Sequence, residues 1–477
     1  MNDQIVKLFG FILVLFALLV FFTSKWTVFD ATALNNNSLN HLTAIHDARI
    51  KRGRILADNG TVLAKSVPQP GGEWTRKYPE GSLFAQTVGY WRGSGNDAGL
   101  ESYYANQLNG KTESISSVFG PLSSSLKVGD TLHTTLDPKA QETARSQLAG
   151  RVGAVVALQP RTGAVLAMYA NPTYNPNSPN GQHCGAATCS FFNRATQSEY
   201  PPGSTFKIVT AGAAINTGKY NPNSQVNGAS PAIISGVPLN NDAGDPPLGE
   251  ISLTYALTQS INTAWARVGV SLGTATMTDY MRRYGFYADP PIDLPKSELR
   301  ASDVLSPAGA VYPAGSPDED IGRISIGQGG LAVTPLQMAM VASTIADNGV
   351  LMRPRIGARF TNSQGQTVST IRPQVYHRVM SAQSAQDING MMRTVVDEGT
   401  GTPASLGGIP FAGKTGTASV GPAGQQRTDP WFIGFAPAND PKVAVAVMLE
   451  NTPNEYGGQT AGPIAAAVVR TLLQEGK

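Results

Sequence analysis

A serine followed three residues later by a lysine is the chemically most suggestive feature of this 477-residue chain. Ser204 follows the loop sequence Pro201-Pro202-Gly203, and an apolar run typical of a helix begins at Phe206. Lys207 lies one helical turn further on, so both side chains are expected on one face. A serine hydroxyl is a weak nucleophile until a base accepts its proton, and a desolvated lysine can be that base. The pair is compatible with nucleophilic catalysis, but in isolation a chance spacing with a serine that merely caps a helix explains these residues better.

Two further polar groups extend the pattern. Ser260 and Asn262 lie in a region predicted to be helical, where a hydroxyl and a carboxamide suit proton relay and the binding of a peptide amide. Lys414-Thr415-Gly416-Thr417 is predicted to lie on an edge strand, because small residues and a glycine let a substrate backbone pair with it. Its lysine and its two threonine hydroxyls suit a carboxylate. Each group alone is weak evidence, so the hypothesis rests on their combination.

Other chemistries fit the sequence less well. Residues 408–415 satisfy the phosphate-loop pattern G-x-x-x-x-G-K-[ST], which needs a helix immediately afterwards. Gly416, Gly421 and Pro422 disfavour that helix, so we reject this interpretation. The five histidines are scattered along the chain and give no local support to a Ser-His-Asp triad.

Three potential metal ligands, His183, Cys184 and Cys189, share one predicted loop. Three such residues in a loop are more often coincidence than a metal site, so we predict neither a metal nor a cofactor. Outside the cytoplasm Cys184 and Cys189 could form a disulfide, and two unpaired thiols are an equally good alternative.

The elements that position these residues begin with a membrane anchor. Residues 5–23 are apolar apart from Lys7 and would span about 28 Å as a helix, close to the thickness of a bilayer's hydrocarbon core. A retained anchor is favoured over a cleaved signal peptide, because the Ala31-Thr32-Ala33 site lies well beyond the apolar run. Residues 1–4 are then a short cytoplasmic tail, and the catalytic part lies outside the cytoplasm.

Two domains are expected after the anchor. In residues 24–150 we predict a hairpin around Asp58-Asn59-Gly60 and a helix that begins at Pro138. Residues 151–477 contain a predicted hairpin (153–158 and 164–170), a buried strand (442–449) and helices, among them 334–348 and 464–473. Strands at both ends with helices between them indicate an α+β domain with one mainly antiparallel sheet flanked by helices.

Composition excludes other classes of protein. Hydrophobic residues make up 41% of the chain, which is enough for packed cores and excludes a disordered chain. The net charge is only +3 and no block of like charges occurs, so we predict no binding to nucleic acid.

Ser204-x-x-Lys207, Ser260-x-Asn262 and Lys414-Thr415-Gly416, taken in order, resemble the three motifs of penicillin-binding proteins and serine β-lactamases. Further segments resemble the penicillin-binding branch: Asn193-Arg194-Ala195, Gly327-Gln328-Gly329, Thr334-Pro335-Leu336-Gln337, Gly399-Thr400-Gly401 and Trp431-Phe432-Ile433-Gly434. In the N-terminal part, Arg52-Gly53-Arg54-Ile55 with Asp58 and Gly60, and Gly99-Leu100-Glu101, are similar to class B signatures. Ala57 and Asn59 depart from the fuller class B motif, which leaves details of the N-terminal domain open.

The resemblance implies a single-pass protein with a non-catalytic, dimerisation-type N-terminal pedestal and a transpeptidase domain that also has an all-helical part. It implies that Ser204 attacks the bond between the two terminal D-alanines of a peptidoglycan stem peptide, that Lys207 takes its proton, and that Ser260 with Lys414 protonates the departing D-alanine. Asn262 would bind the substrate amide. Backbone amides of Ser204 and Thr417 would form the oxyanion hole.

By the same resemblance, Thr415, Gly416 and Thr417 would bind the terminal carboxylate and backbone of the substrate. An amine of a neighbouring stem would complete the cross-link, β-lactams would acylate the same serine, and a membrane-embedded glycan polymerase is the expected companion by analogy. The alternatives are a β-lactamase or D,D-carboxypeptidase that hydrolyses the acyl-enzyme, and a non-catalytic scaffold of the cell-wall machinery. The sequence leaves open whether the protein serves elongation or division.

Overall fold

The computed structural model describes residues 2–30, 48–93, 97–111, 128–178, 190–242, 245–421 and 427–477. Its first helix, α1, is Asn2–Ser24, and a short π-helical segment, Lys25–Phe29, continues it. Within the described residues one helix, Asp3–Thr27, is long and apolar enough to cross a membrane. The predicted anchor, residues 5–23, lies inside it. His183, Cys184 and Cys189 lie outside the described residues, so both alternatives for the two cysteines, a disulfide and two free thiols, stay open.

The strands in the described residues range from two to ten residues in length. In chain order they are β1 (Ile55–Leu56), β2 (Val62–Pro68), β3 (Trp74–Lys77), β4 (Thr131–Thr134), β5 (Gly153–Gln159), β6 (Ala164–Asn171), β7 (Gln225–Asn227), β8 (Ala232–Ile234), β9 (Val237–Leu239), β10 (Glu250–Ser252), β11 (Asp303–Val304), β12 (Leu331–Ala332), β13 (Val350–Met352), β14 (Gly357–Thr361), β15 (Thr367–Thr370), β16 (Val375–Arg378), β17 (Ala412–Val420), β18 (Arg427–Ala436) and β19 (Val443–Leu449).

Helices occupy much of the chain between these strands. After α1 they are α2 (Ala85–Val88), α3 (Gly99–Tyr103), α4 (Ala105–Leu108), α5 (Pro138–Leu148), α6 (Lys207–Asn216), α7 (Leu253–Thr258), α8 (Asn262–Leu272), α9 (Thr274–Arg283), α10 (Ile321–Ile324), α11 (Pro335–Ala346), α12 (Ala382–Asp397) and α13 (Ala461–Gln474).

One antiparallel sheet, with strand order β17-β18-β19-β5-β6, carries the larger part of the molecule. The predicted hairpin is β5 and β6, and the predicted strand 442–449 is β19, all of whose residues are buried. Helices α5 and α13 pack together and against the sheet, and α11 packs against β5, β18 and β19. Strands covered in this way need continuous apolar runs, which these sequences have. The predicted α+β architecture with an antiparallel sheet is confirmed.

Capping residues define where two of these helices begin. Asp137 accepts a hydrogen bond of 2.8 Å from the amide of Ala140, and Pro138 occupies the first turn of α5. Thr334 accepts one of 3.1 Å from the amide of Gln337 at the start of α11. The capping oxygen satisfies one of the free amides at each helix start, and the proline in the first turn has no N–H that needs a partner. Both predicted helices therefore begin where the sequence indicates.

A second sheet, with strand order β15-β14-β4-β1-β2-β3, crosses the predicted domain boundary. Strands β1 and β2 form the predicted hairpin. Strand β14 pairs antiparallel with β4, although β14 belongs to the larger predicted domain. Conversely, α5 of the smaller predicted domain packs against β6 and α13 of the larger one. The two parts therefore share a sheet and a helical layer, and the division at residue 150 stays a prediction.

A buried ion network supports the N-terminal sheet. The guanidinium groups of Arg52 and Arg76 lie 2.7 Å and 2.6 Å from the two carboxylate oxygens of Glu101, and all three side chains are buried. Arg52 also donates to Asn109 over 2.7 Å. Burial acts to raise the pKa of Glu101, but the charges of Arg76 and Arg52 outweigh it, so that pKa lies below its ordinary value. Arg52 and Glu101, from two separate sequence motifs, thus form one structural unit.

Candidate active site

The loop before α6 places Ser204 beside the edge strand β17. Ser204 lies in a single 3₁₀ turn, Gly203–Phe206, that leads directly into α6. Gly203 has a φ of +52°, and a Cβ on it would lie 3.0 Å from the carbonyl oxygen and 3.2 Å from the amide nitrogen of Thr417. A glycine is needed here for both the turn and the close approach. Ser204 is half-buried and lines a cleft of about 320 Å³.

Lys207 is completely buried at the start of α6, and its ammonium group has three acceptors. They are the carbonyl oxygen of Ser260 at 2.6 Å, Oδ1 of Asn262 at 2.7 Å and the hydroxyl of Ser260 at 3.2 Å. Burial, and then the charge of Lys414, lower the pKa of Lys207 well below its ordinary value, whereas Asp242 and Asp245 act in the opposite direction. A lysine in this environment can be neutral at physiological pH and accept a proton.

Lys414 approaches the same serine from β17. Its Nζ lies 2.9 Å from the hydroxyl of Ser260 and 3.0 Å from the carbonyl oxygen of Thr415, and its side chain is completely buried. Burial lowers the pKa of Lys414 to about 7, and the charge of Asp242 opposes this change. The Ser260 hydroxyl therefore lies between two lysines. Because two adjacent ammonium groups repel each other, a state with one neutral and one protonated lysine is favoured. The Ser260 hydroxyl can then pass a proton from one lysine to the other.

Ser260 has a backbone conformation that the sequence does not reveal. Helix α7 ends at Thr258 and α8 begins at Asn262, so the prediction that Ser260 lies within a helix is wrong. Ser260 has a φ of +63°, with its amide bonded to the carbonyl of Leu257 and the next amide to that of Ala256. This is the hydrogen-bond pattern of a helix ending at a left-handed residue, a position that glycine normally occupies. A serine there accepts conformational strain and directs its hydroxyl to the lysines.

The segment 414–417 lies on the edge of the five-stranded sheet, as predicted. A Cβ on Gly416 would lie 2.7 Å from the carbonyl oxygen of Pro202, so only glycine lets this strand approach the loop that carries Ser204. Thr415 exchanges a 2.6 Å hydrogen bond with Thr400, and the hydroxyl of Thr417 accepts one of 3.1 Å from the amide of Gly457. The strand continues to Val420 without a helix, which excludes the phosphate-loop interpretation.

The cleft brings together residues from all three predicted motifs, and Lys207 and Lys414 lie buried behind its wall through their contacts with Ser260. Its lining is Ser204, Asp242, Ser260, Asn262, Gln328, Thr400, Thr415, Gly416, Thr417, Ser419, Tyr456, Gly457, Gly458 and Gln459. Sequence reasoning assigned no role to Asp242, Tyr456 or Gln459. Gln328 and Thr400 belong to segments on which the family resemblance was based, and nothing else in the sequence indicated that they line the cleft.

Among the residues that the structure describes, no group of histidine, cysteine and acidic side chains is placed to hold a metal ion. The cleft combines a half-buried serine, a buried lysine whose pKa is lowered, a second hydroxyl between two lysines and the edge of a sheet, which are the parts that an enzyme acting through an acylated serine requires. The class of protein that the fold and this site define is thus a serine acyltransferase or hydrolase.

Comparison with known proteins narrows this class to a family. The penicillin binding protein transpeptidase domain matches residues 153–470, and the penicillin binding protein A dimerisation domain matches residues 52–126. The chain belongs to the penicillin-binding protein family and is of class B. The family that was predicted from three short motifs is thus confirmed by matches that extend over most of the chain.

Individual relatives cover the entire chain. The chain is 33% identical to the peptidoglycan D,D-transpeptidase PbpA of Mycolicibacterium smegmatis over 100% of both sequences, and 30% identical to PbpA of Mycobacterium tuberculosis over 99% of both. The ceftriaxone acyl-enzyme complex of penicillin-binding protein A from M. tuberculosis superposes with a TM-score of 0.79, at 29% identity, over 90% of this chain and 100% of that one. The predicted family and fold class are confirmed, and the roles of individual residues stay predictions.

Proposed function

We propose that this protein cross-links peptidoglycan stem peptides through an acyl-enzyme on Ser204. The observation that carries the proposal is the position of the Ser260 hydroxyl between two buried lysines at the cleft that Ser204 lines. That arrangement supplies a base for the nucleophile and an acid for the leaving group. The relatives named as D,D-transpeptidases, and the relative captured as a β-lactam acyl-enzyme, support the same reaction.

In the acylation step, Ser204 Oγ attacks the carbonyl carbon between the two terminal D-alanines, and neutral Lys207 takes the hydroxyl proton. Backbone amides of Ser204 and Thr417 stabilise the oxyanion, with about 3–4 kcal/mol for each donor. The proximity of Gly203 to the backbone of Thr417 supports this pairing of amides. The carbon–nitrogen bond then breaks as Lys414 supplies a proton through Ser260 to the nitrogen. Free D-alanine departs, and the rest of the stem peptide stays bound to Ser204 as an ester.

Substrate binding uses the free edge of β17. An extended peptide can pair with the backbone at Gly416, where no side chain obstructs it. Thr415 and Thr417 bind the terminal carboxylate, close to the positive charge of Lys414. Asn262 presents its carboxamide to the amide on the other side of the scissile bond.

The second step decides between cross-linking and hydrolysis. Lys207 first returns its proton through Ser260 to Lys414 and is neutral again. An amine of a neighbouring stem then attacks the ester carbon, its proton passes to Lys207 and on to Ser204 Oγ as the ester carbon–oxygen bond breaks, and an amide cross-link forms. Water in place of the amine would give a D,D-carboxypeptidase. β-Lactams acylate the same serine, and their retained leaving group blocks the second step.

The location follows from the anchor. Helix α1 would hold the chain in the cell membrane with a single pass, and residues after it would face the peptidoglycan outside the cytoplasm. A membrane-embedded polymerase of glycan strands is the partner that we propose by analogy with the family.

A transpeptidation assay tests the proposal. The full chain in detergent is mixed with a stem peptide ending in D-Ala-D-Ala and with a labelled amine acceptor, and cross-linked product and released D-alanine are both quantified. The native protein should form cross-linked product and Ser204→Ala should form none. Ser363→Ala, a serine on the turn between β14 and β15 outside this cleft, is the matched control. Release of D-alanine without any cross-linked product would indicate a carboxypeptidase.

A further inference from the structure

Asp242 is the one carboxylate among the described residues that line the cleft. The remaining lining consists of hydroxyls, carboxamides, glycines and one tyrosine, and both lysines lie buried behind it. Asp242 itself is exposed, so its negative charge is available to a molecule that enters. The sequence places it 20 residues before Asn262, with no spacing that identifies it.

The structure holds Asp242 against the Ser260-x-Asn262 motif. Asn262 donates from Nδ2 to Asp242 over 3.2 Å, while its Oδ1 accepts from Lys207 over 2.7 Å. The preceding residue, Asn241, accepts from the amide of Thr263 over 2.9 Å and donates to the carbonyl of Gly228 over 2.9 Å. The segment that carries Asp242 is therefore tied to the start of α8, and Asp242 is not a free loop tip.

The substrate carries a complementary charge. In the proposed function, which this inference extends, an amine of one stem peptide attacks the acyl group of another. Stems on neighbouring strands are equivalent, so the donor stem carries the same amine, and an aliphatic amine is protonated at neutral pH. Asn262 is the residue proposed to bind the donor amide, and Asp242 is its direct neighbour.

We propose that Asp242 is a cation subsite of the cleft, which forms an ion pair with the ammonium group of the donor stem peptide. A bound peptide would cover this part of the cleft and partly exclude water, which strengthens the pairing of an otherwise exposed carboxylate. The subsite selects donors that carry a free amine over donors in which that amine is blocked. The same chemistry would suit an acceptor ammonium, so the experiment has to separate the two sources.

The test uses the full chain in detergent and two synthetic stem peptides ending in D-Ala-D-Ala, one with its side-chain amine free and one with that amine acetylated. The ratio of their rates of D-alanine release is the readout, because any general damage to the lysines lowers both rates together. We expect the native protein to prefer the free amine about tenfold and Asp242→Asn to bring the ratio to about one. Asp245→Asn, a nearby carboxylate that does not line the cleft, should keep the native ratio.

Two results would overturn the inference. If Asp242→Asn keeps the preference, another group recognises the amine; if both rates fall in proportion, Asp242 only positions Asn262. A second arm forms the acyl-enzyme from the acetylated donor and adds a free amine acceptor. A cross-linking yield that depends on Asp242 only in this arm would assign the ammonium to the acceptor and refute the donor assignment. Failure of the proposed function itself is distinguishable, because the native protein would then form no cross-linked product from the free-amine donor and the amine acceptor, whatever the ratio of D-alanine release.

Discussion

Replacing Lys414 with methionine should stabilise the protein at neutral pH while it abolishes acylation. Burial lowers the pKa of Lys414 from 10.5 to about 7, so between these values the unfolded chain binds more protons than the folded one, and stability rises with pH. At pH 7 the buried lysine costs about 4 kcal/mol, at about 1.4 kcal/mol per pKa unit. Methionine has a similar shape and no charge, but it loses the hydrogen bonds to Ser260 and Thr415, about 1 kcal/mol each. The net stabilisation expected at pH 7 is about 2 kcal/mol.

The pH dependence is the sharper part of this prediction. Between pH 7 and pH 9 the cost of Lys414 falls by about 2 kcal/mol, so the advantage of Lys414→Met should almost vanish at pH 9. Thermal unfolding of both proteins at the two pH values measures this change. The difference in Tm between them should narrow by about 3 °C, given about 2.1 cal/mol/K of unfolding entropy per residue over the roughly 330 residues of the larger predicted domain. Lys296→Met, at an exposed lysine, is the control and should show no such narrowing. A difference in Tm that stays constant from pH 7 to pH 9 would refute a lowered pKa at Lys414.

Three further predictions use other contacts. Ser260→Gly should be about 1 kcal/mol more stable than Ser260→Ala, because residue 260 has a left-handed backbone at φ +63°, and thermal unfolding measures this difference. Both variants should be acylated by benzylpenicillin at least 100-fold more slowly than the native protein. Glu101→Gln should cost about 3–5 kcal/mol, since it leaves Arg52 and Arg76 buried without a counter-charge, and limited proteolysis should detect the loosened N-terminal sheet. Gly416→Ala should slow acylation at least tenfold, because the added Cβ would lie 2.7 Å from the carbonyl oxygen of Pro202, in the loop that carries Ser204.

Specific outcomes would contradict these three. Equal melting temperatures for the Ser260 pair would mean that the left-handed backbone carries no strain. Unchanged proteolysis of Glu101→Gln would show that the network is not needed for the sheet. The stability that Glu101 contributes is fully present above its ordinary pKa and is lost as the pH falls through its lowered pKa in the folded state, so a stability difference from Glu101→Gln that does not shrink in acid would also contradict the network. A normal acylation rate in Gly416→Ala would mean that the loop moves aside without loss.

Local signals were enough for several elements of the larger predicted domain, including the edge strand that carries Lys414. Small residues and Gly416 predicted an edge strand for 414–417, and continuous apolar runs predicted the hairpin β5–β6 and the strand β19. Each of these depends on residues close together in the sequence, where periodicity and turn composition act. The three motifs were recognised by their resemblance, taken in order, to those of a known family.

Contacts between distant segments had no such signal. The pairing of β4 with β14 joins residues more than 200 positions apart, and nothing in either short strand specifies its partner. Asp242 meets Asn262 only because the segment before α8 folds back. The break at Ser260 was missed because a serine stands where helix ends usually have glycine, so the usual signal for a left-handed residue is absent. Two of these three surprises lie in the cleft, where function overrides local preference.

The most direct test of the central claim is intact-mass spectrometry of the full chain in detergent after mixing with benzylpenicillin, followed over time. A stable one-to-one adduct that maps to Ser204, lasts many minutes and is absent from Ser204→Ala is the expected result. An adduct on another residue would contradict the assignment of the nucleophile. An adduct that disappears while benzylpenicillin is destroyed would contradict the transpeptidase assignment and indicate a β-lactamase.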